Sequence, residues 1–235
     1  MRQFIPLHSP SLFERAEESY AKGQGVIACI LSAASIEAFV NDLSDWYRIA
    51  VEHNKTCLKK RKIGICMVRY AYHELTEDED LMCSSIDNLE ESHSSINLKI
   101  ESIFKLLQKK LDKGGSVYQD FSTLVKVRND LVHVKGELLE QEHPLELNPI
   151  KGYPKYINNF CQLGIITIPK ILDRDSGVLE VLDNKNFAEW CIKSAYRMHL
   201  LILDQLPNTP YTLQFKHGVS FRGKIIENLM NKRNK

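Results

Sequence analysis

The stretch from Val26 to His53, VIACILSAASIEAFVNDLSDWYRIAVEH, contains neither proline nor glycine, and its first half is apolar or small on nearly every side. A helix that is apolar around its circumference is stable only when neighbours cover it from several directions. The rest of the chain must therefore supply the helices that surround it. This stretch predicts a mainly α fold, a helical bundle with one central member.

The flanking segments provide candidates. Ser9-Pro10-Ser11 reads as a cap opening a helix to about Lys22, where Gly23 and Gly25 break it. Ser94 to Leu111 has apolar residues at 96, 100, 103, 104, 107 and 111, the spacing of an amphipathic helix. Ser116 to about Lys135 is a further helix, closed by Gly136. The segment 187–206, FAEWCIKSAYRMHLLILDQL, is another, capped by Asn186 and stopped by Pro207. Between residues 54 and 92 the pattern is mixed and predicts short helices and loops.

Gly136 to Pro154 is punctuated as loop. Two β-like runs follow, Gly164–Ile168 and Val178–Val181, separated by Asp173-Arg174-Asp175-Ser176-Gly177. They predict a small hairpin before the last long helix. The expected organisation is one domain over residues 1–207, an insertion at about 137–184, and a partly mobile tail over 208–235.

Composition adds few constraints. With 43% hydrophobic and 26% charged residues, a 235-residue chain can bury a core without a structural metal or disulfides. The formal charge of +1 means that contact with nucleic acid must come from a local patch. The start shows no signal-peptide pattern, and no apolar run approaches the ~18 residues of a membrane span. The six cysteines (29, 57, 66, 83, 161, 191) form no C-x-x-C pair and read as reduced thiols of a cytoplasmic protein. His53, Cys57 and Cys66 lack a fourth ligand, so no metal site is expected. No glycine-rich phosphate loop occurs, and no cofactor is implied.

The helix over 117–134 carries the functional signal. At 100° per residue with Arg128 at zero, Phe121 falls near ~20°, Val132 near ~40°, Val125 near ~60°, Leu124 near ~320° and Leu131 near ~300°. Arg128 sits amid an apolar stripe, where a charge is least expected. Its guanidinium must snorkel, meet a carboxylate, or project into a cleft or interface. Asn129 and His133 are four residues apart and neighbours at one edge of that stripe. Guanidinium offers phosphate a fixed fork of donors, and imidazole exchanges protons near neutral pH. A cation, an amide and an imidazole placed together suit phosphate chemistry.

The segment FSTLVKVRNDLVHVKG resembles the catalytic helix of the HEPN (higher eukaryote and prokaryote nucleotide-binding) superfamily, whose signature is Arg, a polar residue, then His after four to six positions. Here those are Arg128, Asn129 and His133. SAASIEAFVNDL is similar to the long early helix of HEPN bundles, and NFAEWCIKSAYRMHLLIL to the closing helix. Arg48 and His53 repeat the spacing, but Ile49 follows the arginine, and the pair reads as a decoy.

The resemblance implies a homodimer with a composite site that cleaves RNA without a metal. The 2′-OH attacks phosphorus and leaves a 2′,3′-cyclic phosphate and a 5′-OH. His133 would be the acid/base, Arg128 would stabilise the phosphorane, and Asn129 would position one of them. A toxin or phage-defence effector restrained by an antitoxin or regulatory protein is the implied setting. Some family members carry a modifiable tyrosine two residues after the histidine, where this chain has Lys135. The alternative functions are a non-catalytic HEPN module that binds RNA or nucleotide or scaffolds a partner, and a structural bundle with a buried arginine.

Two supporting residues stand out. Glu37 lies among Ala33, Ala34, Ala38 and Asn41 and reads either as a carboxylate orienting Arg128 or His133 or as a partly exposed helix charge. Lys126 lies near His133 on the wheel and reads either as an RNA-phosphate contact or as a solvated lysine. Lys59–Lys62 and the basic C-terminal tail are further approach patches for RNA.

Overall fold

The computed structural model describes residues 7–59, 76–133, 154–168, 177–219 and 226. Among them every regular element is helical: α1 (His8–Ala21), α2 (Gly25–Lys59), α3 (Glu77–Glu91), α4 (Ile96–Leu106), α5 (Ser116–Val132), α6 (Lys155–Gln162), α7 (Val178–Leu182), α8 (Lys185–Gln205) and α9 (Pro210–Gly218). The mainly α class expected from the sequence is the observed one.

The central helix is α2. It packs most extensively against α1 and α8 and also meets α3, α4, α5, α7 and α9. Ala28, Cys29, Ala33, Ile36, Phe39, Val40 and Leu43 are all buried along it, as are Ser32 and Ser35. Small side chains among these let neighbouring backbones approach closely. Gly25–Ile49 is, by length and composition alone, apolar enough to cross a membrane, which corrects the expectation that no run approaches that length. In the fold the same property makes it the bundle's centre.

The helix starts are fixed both by distant partners and by local caps. The α1 N-terminus is capped by Asp42 of α2, whose two carboxylate oxygens accept from the backbone N–H groups of His8 (3.1 Å) and Ser9 (2.8 Å). This replaces the expected Ser9-Pro10-Ser11 cap, because Ser9 is itself buried in the first turn. Thr76 and Glu79 form a capping box at the start of α3. The fully buried Glu79 carboxylate also accepts from the hydroxyls of Thr209 and Thr212, and Tyr47 hydrogen-bonds Thr212. Together these bonds dock α9 on α2 and α3.

Two boundaries differ from the sequence expectation. Val178–Leu182, read as the second strand of the hairpin, is the helix α7, and neither it nor Gly164–Ile168 is a strand; residues 169–176, which hold most of the expected turn, lie outside the described residues. A short apolar run does not reveal its own period. Here Val178, Val181 and Leu182, at i, i+3 and i+4, turn toward the core. Parts of the segments read as insertion and tail pack on the body. From the assigned insertion, α6 contributes Tyr156, Ile157 and Phe160, with Phe160 against Phe187 and Trp190 at ring separations of 5.4 and 4.7 Å. From the assigned tail, α9 buries Tyr211 and Phe215, and the buried Ile226 donates its N–H to Glu17 at 2.9 Å.

Candidate functional site

Helix α5 packs on α8 and α2 through Phe121, Leu124, Val125, Val127 and Leu131, which are all buried. Four of these five belong to the stripe read from the sequence. Val132, assigned to that stripe, is exposed because it is the last residue of the helix. Arg128 lies among the buried positions with its side chain only 21% exposed.

Its partner is Glu37 on α2. One guanidinium nitrogen of Arg128 donates to Glu37 Oε2 at 2.5 Å, and the Glu37 side chain keeps 42% of its surface open. The ion pair thus lies at the rim of the α2–α5 contact, not inside the core. There a guanidinium is held by one nitrogen while the edge of the pair meets solvent.

Asn129, Lys126 and His133 are all exposed. The helix stops earlier than the sequence suggested, at Val132, and His133 is its C-cap with φ −106° and ψ 45°. The His133 N–H still donates to the Asn129 carbonyl at 2.9 Å, so the two residues share the closing turn. Lys135 and the 136–153 loop lie outside the described residues, as do Lys60–Lys62 and nearly all the basic tail. The decoy arginine, Arg48, is exposed and paired with Asp45 on its own helix.

Sequence reasoning missed Lys99. It lies on the packed face of α4, beside Ile96, Ile100 and Ile103, and is 4% exposed. Its ammonium pairs with Glu90 of α3, whose side chain is 54% exposed. Burial pulls the Lys99 pKa down, and the nearby Glu37 charge opposes that fall. A lysine on the buried face of an amphipathic helix is the signal that singled out Arg128, and it was legible in the same way.

Elsewhere, His199 of α8 is fully buried between Phe13 and Phe39, with ring centroids 5.7 and 5.1 Å away. Burial pushes its pKa down to about 3 against a smaller raising effect from the Ser35 backbone. It serves packing and is remote in character from an exposed acid/base. Among the described residues no group of three His, Cys, Asp or Glu side chains could hold a metal ion.

Comparison with protein-family models, with curated proteins and with solved structures gives no significant match. The chemistry of the site is therefore read from its own residues. A fixed guanidinium at a rim, an exposed amide and an exposed imidazole on the next turn can bind an anion and exchange a proton beside it.

Proposed function

We propose that this chain is a HEPN-type, metal-independent endoribonuclease. The observation that carries the reading is the attachment of Arg128 to Glu37 at the open rim of α5, with the exposed Asn129 next to it in sequence and the exposed His133 little more than a turn further on. Here the carboxylate and the next turn both face solvent, where a phosphodiester can reach them.

In this reading His133 takes the proton from the 2′-OH as the 2′-oxygen bonds to phosphorus. The P–O5′ bond breaks, and an imidazolium returns a proton to the departing 5′-oxygen. The products are a 2′,3′-cyclic phosphate and a 5′-OH. Arg128 stabilises charge on the phosphorane, Asn129 orients either the imidazole or the phosphate, and Glu37 holds Arg128 in position. Lys126 meets the flanking phosphates. By resemblance, the acting form is a homodimer in the cytoplasm, a toxin or phage-defence effector kept in check by an antitoxin or regulatory protein. If His133→Ala cleaved RNA at the wild-type rate, this assignment of roles would be wrong.

A second reading draws on the same ion pair. A guanidinium already neutralised by Glu37 also suits a non-catalytic HEPN module that binds RNA or scaffolds a partner. Expression separates the two: the nuclease arrests host growth and its His133→Ala variant does not, whereas a module leaves both cultures alike.

A further inference from the structure

The end of α4 and its turn into α5 carry Lys105, Lys109, Lys110 and Lys113, all of them exposed. Gln108, at φ 52°, turns the chain sharply off α4. Its N–H donates to the Lys105 carbonyl at 3.1 Å, and that of Lys109 donates to the Phe104 carbonyl at 2.8 Å. The turn is thus fixed by hydrogen bonds.

The carboxylates nearby are already engaged. Glu101 stands four residues before Lys105, a spacing that suits a helix ion pair, yet its oxygens go to Lys113 and to the Tyr118 hydroxyl, each at 2.8 Å. Asp112 accepts from the Gly114 N–H at 3.2 Å. Among the described residues no ion pair takes up Lys105, Lys109 or Lys110. In a chain of formal charge +1, they form the kind of local patch that contact with nucleic acid requires.

The patch is joined to the outer face of α5. Gln119 Nε2 donates to the Lys113 carbonyl at 2.5 Å. From Gln119 the solvent-facing positions run through Ser122, Thr123 and Lys126 to Asn129, Asp130 and His133, at three- and four-residue steps. This face is neutral or basic until Asp130. It extends about 20 Å from Gln119 to His133, a length that a few nucleotides of an extended strand cover.

We propose that Lys105, Lys109 and Lys110 bind phosphates of single-stranded RNA away from the cleavage point, and that the strand follows the outer face of α5 to His133. This rests on the ribonuclease reading and names its substrate class. A single strand fits because the attacking 2′-oxygen must line up with the departing 5′-oxygen, an alignment that an A-form duplex does not provide.

The test uses full-length protein carrying His133→Ala, which keeps RNA intact, and reads the anisotropy of a labelled oligouridylate of about 12 nucleotides across a salt series. Lys105→Gln/Lys109→Gln/Lys110→Gln should weaken binding roughly tenfold or more at low salt. It should also flatten the slope of log affinity against log salt by about 2, because each phosphate contact on a single strand contributes about 0.7. Lys22→Gln/Lys155→Gln/Lys185→Gln removes the same charge from exposed lysines outside α4 and α5, and should stay within about threefold of its parent. Thr123→Glu, an acid placed midway along the face, should weaken binding several-fold. With His133 restored, the Lys105/Lys109/Lys110 variant should raise KM far more for a cleavable oligonucleotide than for a dinucleotide, which holds only the scissile phosphate.

Equal losses in the two triple variants, an unchanged salt slope, or no binding at all overturns the proposal. An unaffected Thr123→Glu variant overturns the path along α5. If the wild type cleaves no RNA while the binding results hold, the ribonuclease reading fails and the RNA surface stands. If the wild type cleaves and the Lys105/Lys109/Lys110 variant binds like its parent, the surface fails and the reading stands.

Discussion

Glu37 and Arg128 lie 91 residues apart in sequence and are joined by a 2.5 Å hydrogen bond that ties the central helix α2 to the end of α5. With the carboxylate side chain 42% exposed, solvent screens the pair, and its contribution to folding is modest. Its effect is on where the guanidinium stands. Glu37→Gln should therefore change the unfolding free energy by less than about 1 kcal/mol while lowering RNA cleavage about tenfold or more. Denaturation and single-turnover cleavage on the same preparation check this. Equal cleavage by the variant would remove Glu37 from the site.

Asp42 serves α1 in a different way. Both of its oxygens accept backbone N–H groups of the first turn, from His8 and Ser9, and the side chain is buried in α2. Asp42→Ala should cost about 1–2 kcal/mol, the range for losing an N-cap acceptor. Asp42→Asn, which keeps one acceptor oxygen, should cost less. Urea denaturation should rank wild type, Asn and Ala in that order.

Gly25 shows which of two opposed effects wins. Alanine is the better helix former by about 1 kcal/mol in a helix interior, but Gly25 opens α2, where that gain is smaller. A Cβ there would overlap the Leu182 carbonyl oxygen and stand 2.8 Å from the Asn184 nitrogen, both rigid backbone. The clash dominates, and Gly25→Ala should destabilise by about 1–3 kcal/mol, the usual cost of overpacking. The same 182–184 segment reaches the helix start through Asp183, whose carboxylate accepts from the Val26 N–H at 3.2 Å. Thermal unfolding of the variant should therefore start at a clearly lower temperature.

His199 gives the fold a dependence on acid. Its folded pKa of about 3 lies below its ordinary 6.5, so the unfolded chain gains the proton first as pH falls. The stability that neutral His199 provides is present above about pH 6.5 and is lost as pH falls toward 3, at up to about 1.4 kcal/mol per pH unit. Chemical denaturation of wild type and His199→Gln between about pH 4 and about pH 7 should give curves that converge on the acid side. Parallel curves would show that His199 is not held neutral in the folded protein.

The main helices were legible because their apolar spacing is strong and their ends carry glycine, proline or a capping side chain. The central position of α2 follows from its composition alone. Where sequence reasoning failed, the deciding contact was distant or the run too short. Asp42 caps α1 from 33 residues or more away, so the local Ser9-Pro10-Ser11 pattern misled. Val178–Leu182 is too short to show its period, and its helical form depends on which neighbours it meets. At the site, the sequence singled out Glu37 but left open whether it orients Arg128 or His133 or is a partly exposed helix charge, and the fold pairs it with Arg128. The exposure of Val132 and the end of α5 before His133 are end effects of the helix, which periodicity does not encode.

The central claim is that Arg128 and His133 cut RNA. Its most direct test incubates purified wild-type protein and the Arg128→Ala/His133→Ala double variant with total cellular RNA in the presence of EDTA. Discrete fragments ending in 2′,3′-cyclic phosphate with the wild type, absent with the variant, are the predicted result. Intact RNA in both reactions, or identical fragments from both, would contradict the claim.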